Sequence, residues 1–336
     1  MGIEPNGRRV SVKDVAAAAG VSLGTVSNVL NRPEKVLPAT RDHVLVVIDE
    51  LGFVRNDAAR QLRAGTNRAV GMIVLDVGEE RVADVEERLS DHGRPLILAN
   101  SGQDASREST YLDLFEEQRV SGLLITPVGQ VLPRLRRLRE RGTAIVVVDR
   151  RTGTREFSSV AVDDRRGGRI GAQHLVDTGR RRIAFVGGPK GLSQVKHRLR
   201  GAQDVVDATP GAQLTFVETP RMDADAGRRA AEHLVALGKR SRPDAIFAAN
   251  DLIALGVLQA LTFAGVRVPD DLAILGYDDI DFAASVAIPL SSVRQPREQL
   301  GNVAADTLLE VIADPAARVR DVVLEPELVV RRSTAE

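Results

Sequence analysis

From residue 69 onward, short apolar runs rich in β-branched residues alternate with amphipathic helical stretches. No other feature of the chain narrows its possible folds as far. The expected strands lie at 69–76, 95–100, 122–126, 144–149, 182–187, 214–218, 245–249 and 272–277, with helical stretches between them that include 105–118, 165–178, 226–237 and 251–264. Continuous apolar strands alternating with helices mean parallel sheets covered on both faces. About eight such units exceed one comfortable sheet, so an α/β body of two doubly wound parallel-sheet subdomains is expected. Ligands of such sheets sit beyond the carboxyl ends of the strands. The polar residues there are Asp76, Asn100, Asp149, Asp163, Asn250, Asp251, Asp278 and Asp279. As a set they suit a hydroxyl-rich small molecule such as a sugar or nucleoside. Taken singly, each also reads as the cap of a following helix.

The first 66 residues follow a different rule. Ser11 opens a short helix with Asp14 three residues on, as in a capping box, and Gly20 ends it. Ser22 caps a second helix, which Asn31-Arg-Pro33 stops; a third runs from about residue 38 to 51 and ends at Gly52. The spacing of Val12-Lys-Asp-Val-Ala-Ala-Ala-Ala-Gly-Val-Ser-Leu-Gly-Thr-Val-Ser-Asn-Val-Leu30 predicts a helix-turn-helix. Ala16 and Ala17 would let the first two helices approach, and Val15, Val21, Val26 and Leu30 would form a small core. Val44, Leu45, Ile48 and Leu51 share a face of the third helix. The second helix would enter the DNA major groove with its N-terminal residues at base edges, and its free amides near Ser22 suit a phosphate. The head carries nine basic and seven acidic residues, and the whole chain is neutral. The DNA-binding reading therefore rests on the motif, not on charge.

Composition removes several alternatives. There is no cysteine, hence no disulfide, thiolate nucleophile or Cys-ligated zinc. The five histidines are scattered without metal spacing, and no cofactor loop is complete. Aromatic residues make up 3% of the chain, too few for stacking platforms on single strands. Gly20-Val-Ser22-Leu-Gly24 has the spelling of a nucleophile elbow but follows an Ala-rich helix, where the elbow needs a strand. The stretch Phe185-Val-Gly-Gly-Pro-Lys-Gly191 lacks the spacing of a phosphate loop. No catalytic residue, metal or cofactor is expected. No apolar run reaches the length of a membrane span and no leader is apparent, so a cytoplasmic protein is expected.

Motifs in one order along nearly the whole chain resemble the LacI/GalR family of bacterial transcriptional regulators. They include Val12-Lys-Asp-Val-Ala-Ala, Thr25-Val-Ser-Asn-Val-Leu-Asn31, Glu50-Leu-Gly-Phe53, Gln118-Arg-Val-Ser-Gly-Leu-Leu-Ile125, Phe247-Ala-Ala-Asn-Asp251, Gly276-Tyr-Asp-Asp279 and Ser291-Ser-Val-Arg-Gln-Pro296. The resemblance implies a homodimer on near-palindromic, double-stranded operator DNA. It implies that Leu23, Gly24 and Asn28 read the major groove, with Ser22, Thr25 and Ser27 beside them. It also implies a hinge helix in which Ala58, Ala59 and Leu62 meet the minor groove, Leu62 as the wedge. The body would have two periplasmic-binding-protein-like subdomains, with a small-molecule effector in the cleft between them. Arg198, Asn250 and Asp278 match the family's ligand-binding positions, and Asp76, Asn100 and Asp149 join them from the strand ends. The implied divisions are a head over 1–55, a hinge and linker over 56–68, a first subdomain over 69–162 with 291–320, and a second over 163–290 with 321–336.

Two departures stand out. After Leu75-Asp-Val-Gly78 the chain lacks about four residues of the family's Asn-Pro-Phe-Phe stretch, which alters the expected effector wall. Leu37 precedes Pro38 where the family favours serine, a lost helix cap. The rival readings are a sugar-binding protein with a non-functional head, against which steep weakening of DNA binding by salt would argue, and an enzyme on a doubly wound fold, which no recognisable nucleophile, metal cluster or cofactor loop supports.

Overall fold

The computed structural model describes residues 10–53, 67–76, 81–153 and 156–335. The chain divides into two units, 1–66 and 67–336.

In the first unit, Ser11 Oγ accepts from the Asp14 amide and Asp14 Oδ2 accepts from the Ser11 amide, so the expected capping box opens α1 (Val12–Ala18). Gly20 takes a left-handed φ of 63° at the turn, where a side chain would be strained. Ser22 Oγ then accepts from the Thr25 amide at 3.0 Å and opens α2 (Leu23–Asn31). After a short 3-10 turn at Pro33–Lys35 comes α3 (Pro38–Glu50). The three helices close over Val15, Ala16, Ala19, Val26, Val29, Val44, Val47 and Phe53. Two expectations are corrected. Ala17 is exposed, and Ala19 provides the second small contact because it lies three residues from Ala16 on the same face. Leu45 is exposed; Val47, three residues after Val44, takes its place in the core. Val21 and Leu30 are half-buried at the margin of this core.

α3 starts at Leu37 with no side-chain cap, and the leucine itself is 76% exposed. Leu37→Ser supplies the missing acceptor and exposes less apolar surface. We expect the head to gain about 1 kcal/mol, read as a higher midpoint for its unfolding transition; an unchanged or lower midpoint counts against the capping argument.

The second unit contains two six-stranded sheets. The first is built from β1 (Val70–Val74), β2 (Leu96–Asn100), β3 (Gly122–Ile125), β4 (Ala144–Val148), β5 (Ser158–Val162) and β11 (Asp321–Leu324), in the spatial order β11-β5-β4-β3-β1-β2. Its helices are α4 (Arg81–Ser90), α5 (Ala105–Glu117), α6 (Leu132–Glu140) and α13 (Arg297–Ala313). Every strand pair in it is parallel, with Met72 in register with both Leu98 and Leu124. The inner strands are buried along their whole length, which is why they read as continuous apolar runs.

The second sheet has β6 (Arg182–Gly187), β7 (Gln213–Glu218), β8 (Ala245–Ala248), β9 (Ala273–Asp278), β10 (Ser291–Arg294) and β12 (Glu327–Val329), ordered β12-β10-β9-β8-β6-β7. Only β12 runs antiparallel. Its helices are α7 (Asp164–Asp177), α8 (Ser193–Asp207), α9 (Ala224–Ala236), α10 (Gly238–Ser241), α11 (Asp251–Phe263) and α12 (Asp281–Ser285).

The boundaries expected at 291 and 321 shift. Ser292 pairs with Gly276 in the second sheet, so the chain returns to the first subdomain only after Arg294. Val322 pairs with Val160 in the first sheet, so the last crossing comes after Leu324. Both strands are four residues long. The buried Ser291 and Ser292 of β10 are satisfied by other side chains: the Ser291 amide donates to Ser333 Oγ, and Ser292 Oγ donates to Asp251. Polar residues satisfied in this way hide a core strand from hydropathy. Three strand-to-strand crossings therefore join the subdomains, at 163, 295–296 and 325–326.

Candidate functional site

On α2, Ser22, Leu23, Gly24 and Asn28 are exposed on one side, while Thr25 and Ser27 are half-buried. Ser22 Oγ and Thr25 Oγ1 are 2.9 Å apart, and the Asn31 amide group donates to Ser27 O. These local bonds hold the polar residues of the helix to one another. Leu23, 48% exposed, offers an apolar contact of the kind a thymine methyl accepts. A Cβ on Gly24 would meet only Ser22 Oγ, at an ordinary 3.5 Å, so packing does not require glycine there. The hinge residues Ala58, Ala59 and Leu62 lie outside the described residues, as does the shortened stretch at 77–80.

In the body, the carboxyl ends of both sheets face a cavity of about 300 Å³. Asp76 after β1 and Asp149 after β4 line it from the first subdomain; Arg198 on α8, Asn250 before α11 and Asp278 at the end of β9 line it from the second. Five of the six effector-site residues expected from sequence thus meet in one place, while the strand-end residues Asp163, Asp251 and Asp279 are not in the lining. Asn100 is not among the lining residues: its Oδ1 accepts from the Gly102 amide at 2.8 Å and shapes the β2–α5 loop instead. Asp149, Asp278 and Asp279 all have positive φ (58°, 102° and 55°), a conformation aspartate tolerates better than most residues and one that turns the chain sharply at the cleft floor.

Arg198 organises the second wall. It is 3% exposed; its Nε donates to Asp164 Oδ1 at 2.8 Å and its Nη1 to the Ala249 carbonyl at 2.6 Å. Asp278 Oδ1 is 3.5 Å from the same Nη1, and the guanidinium lies 3.6 Å above the Tyr277 ring. Burial pulls the Arg198 pKa down, but Asp164, Tyr277 and Asp278 raise it further, so it stays charged. Asp164 is pushed up to about 6, because its loss of water outweighs the attraction of Arg198. Gln295 Nε2 donates to Asp278 Oδ1, fixing that carboxylate. Asn250 does two local jobs: its Oδ1 caps α11 through the Ile253 amide and its Nδ2 donates to Met222 O.

Beneath this wall, Asp251 is fully buried. It accepts from Ser292 Oγ at 2.8 Å and from the Ile280 amide at 2.9 Å. Burial first, and the charge of Asp278 second, push it up to about 8. The folded protein thus holds a proton that the unfolded chain gives up near pH 4, so stability is full below that point and falls as pH rises toward 8. The slope from this one group reaches about 1.4 kcal/mol per pH unit. Asp251→Asn keeps the shape without the charge. We expect it to flatten the fall in urea midpoint between about pH 6 and 8; a variant that keeps the wild-type slope rules Asp251 out as its source.

Sequence reasoning missed Gln103, Gln194, Met222, Gln295 and Arg297 in the lining, together with the apolar Leu75, Leu252, Ile280 and Phe282. Gln295 was within reach, inside the Ser291–Pro296 motif; the others carry no signal of type or spacing. Among the described residues no group of His, Cys, Asp and Glu has the geometry to hold a metal ion, and no helix is long and apolar enough to cross a membrane.

Residues 11–56 match the family described as bacterial regulatory proteins, lacI family, and residues 172–334 match the periplasmic binding protein-like domain. The HTH-type transcriptional repressor PurR of Photobacterium profundum is 31% identical over 333 residues, which cover 97% of this chain and 99% of the relative. The chain belongs to the lacI family of bacterial regulatory proteins. This lacI-family regulator is also similar to the HTH-type transcriptional regulator CelR of Thermobifida fusca, at 36% identity over 341 residues, covering 97% of this chain and 98% of CelR. Among solved structures, the lac repressor dimer bound to operator and the anti-inducer ONPF superposes with a TM-score of 0.80 at 27% identity, covering 98% of this chain and 100% of that one. A CelR–cellobiose complex superposes at 0.69 with 32% identity, covering 97% and 100%. The regulator's helix-turn-helix head and its two parallel-sheet subdomains are thus those of its family, and it is a DNA-binding transcriptional regulator.

Proposed function

We propose that the regulator is a repressor that binds a near-palindromic operator as a homodimer and responds to a small, uncharged, hydroxyl-bearing molecule in the cleft. The observation that carries the DNA half is a fully built helix-turn-helix whose Ser22, Leu23, Gly24 and Asn28 remain exposed on one side of α2. Leu23 and Asn28 read base edges, Ser22 and the first amides of α2 hold a phosphate, and Leu62 opens a central base step from the minor groove. The cleft half rests on the cavity where both sheets end, with Asp76, Asp149, Arg198, Asn250 and Asp278 around it. A sugar or a nucleoside fits its size and polarity. Ligand there biases the spacing of the two subdomains and through it DNA affinity. This reading assigns no catalysis and puts the protein in the cytoplasm with its DNA.

Selection from a randomised double-stranded pool tests it, in parallel with Leu62→Ala. We expect a palindrome with a flexible central step, CG or TA, recovered by the wild type and lost by the variant. Its affinity should fall steeply with salt, as phosphate contacts release counterions. A folded protein that enriches no sequence would instead favour the ligand-binding reading without DNA.

A further inference from the structure

Two glutamines face the cleft with no hydrogen-bond partner among the described residues. Gln103 stands in the β2–α5 loop of the first subdomain, and its Oε1 is shut off from solvent without a donor. Gln194 stands in the first turn of α8 in the second subdomain, 8% exposed and lining the same cavity. Gln103 Oε1 is thus a buried, unpaired polar atom, which is costly and which native structures rarely leave.

The loop that carries Gln103 is held firmly. Ser101 is fully buried and its Oγ donates to Val74 O at 2.9 Å; the Asp104 amide donates to Ser101 O at 3.1 Å. Gly102 and Gln103 both have left-handed φ, 60° and 63°. Glycine takes that conformation freely, whereas glutamine is strained in it. A residue kept in a strained conformation with an unsatisfied amide is badly chosen for stability alone.

We propose that Gln103 and Gln194 are specificity-determining residues that hold one ligand from opposite subdomains. The inference rests on the effector-cleft reading and deepens it. Each carboxamide offers an acceptor and two donors, which matches a group that both gives and takes a hydrogen bond, a hydroxyl above all. Rotation of the soft terminal torsion of Gln103 turns its oxygen to such a partner. An anionic ligand is disfavoured: the lining carboxylates Asp76, Asp149 and Asp278 outnumber the guanidinium groups of Arg198 and Arg297, and Arg198 is already matched by Asp164. A ligand bonded to both glutamines favours the subdomain spacing in which both reach it.

Calorimetric titration of the full-length regulator with cellobiose, D-ribose, adenosine and glucose 6-phosphate tests this, using wild type, Gln103→Leu, Gln194→Leu and Gln103→Gly. We expect the wild type to bind at least one neutral probe in preference to the phosphate, and each leucine variant to raise its Kd at least tenfold. Gln103→Gly separates function from structure: it relieves the left-handed backbone, so the unliganded melting temperature rises while affinity falls as in Gln103→Leu. A lower melting temperature with unchanged affinity makes Gln103 structural and overturns its assignment. Wild-type binding that both leucine variants retain overturns the glutamine pair and leaves the effector cleft standing. Preference for the phosphate overturns the neutral class, and a wild type that binds none of the four overturns the cleft reading and the inference together.

Discussion

Arg198→Met is expected to abolish effector binding and to lower folding stability by about 3–5 kcal/mol, the usual result of removing one partner of a buried ion pair. The stability loss comes less from the missing attraction than from what remains. Asp164 stays enclosed with no cation beside it, the Ala249 carbonyl loses its donor, and the Tyr277 ring loses the guanidinium plane above it. Asp164, already pushed up to about 6, then moves further toward its protonated form. A second substitution divides the two effects. Asp164→Leu together with Arg198→Met removes both charges and should recover most of the lost stability, because well-packed apolar pairs replace buried ion pairs at little cost. Ligand binding should stay absent, since the cavity has lost the Arg198 guanidinium from its second wall. Urea unfolding and calorimetric titration check the two halves. A single variant within about 1 kcal/mol of wild type would mean that water, not Arg198, satisfies Asp164.

Much of this architecture is legible in the chain, for a physical reason. Inner strands of a parallel sheet are buried on both faces, so β1, β3, β4, β6, β8 and β9 stand out as unbroken apolar runs. The strands that escaped are β5, β10, β11 and β12, and β5 and β10 each begin with two buried serines. Their hydroxyls are satisfied across the fold, and no local pattern reveals a partner 40 or 162 residues away. The crossing points were misplaced for the same reason. In the head, helix limits followed from Ser11, Ser22, Gly20 and Gly52, but choosing between Leu45 and Val47 needed the phase of α3 against its neighbours. At the cleft, the strand-end rule led to Asp76, Asp149, Asn250 and Asp278. It failed at Asn100, whose amide is consumed within its own loop, while Gln103 three residues on faces the cavity. Nothing in residue type distinguishes the two; the left-handed turn at Gly102 and Gln103 does, and it is a tertiary fact.

Gly201→Ala and Gly256→Ala are each expected to cost about 3 kcal/mol or more, far above the usual effect of adding one methyl group. The two helix pairs of the second subdomain approach backbone to backbone at reciprocal glycines. A Cβ on Gly201 of α8 would lie 2.0 Å from the Arg165 carbonyl oxygen of α7, and one on Gly168 of α7 would lie 2.0 Å from the Arg198 carbonyl oxygen of α8. In the pair α9 and α11, a Cβ on Gly256 would lie 1.8 Å from the Ala224 oxygen and one on Gly227 would lie 2.2 Å from the Ile253 oxygen. These neighbours are main-chain atoms inside helices and cannot turn aside as a side chain can, so the helices must separate. Alanine's better helix propensity, about 1 kcal/mol over glycine, does not offset that. The displacement also reaches the cleft: Gly201 lies one turn from Arg198 on α8, and α11 carries Asn250 at its cap. We therefore expect ligand affinity to fall together with the unfolding midpoint. Gly191→Ala is the control: it has an ordinary φ and open space around its Cβ position, and should change stability by less than about 0.5 kcal/mol. If Gly201→Ala or Gly256→Ala behaves like that control, the close crossing does not hold in solution, and the positioning of Arg198 and Asn250 must come from the sheet alone.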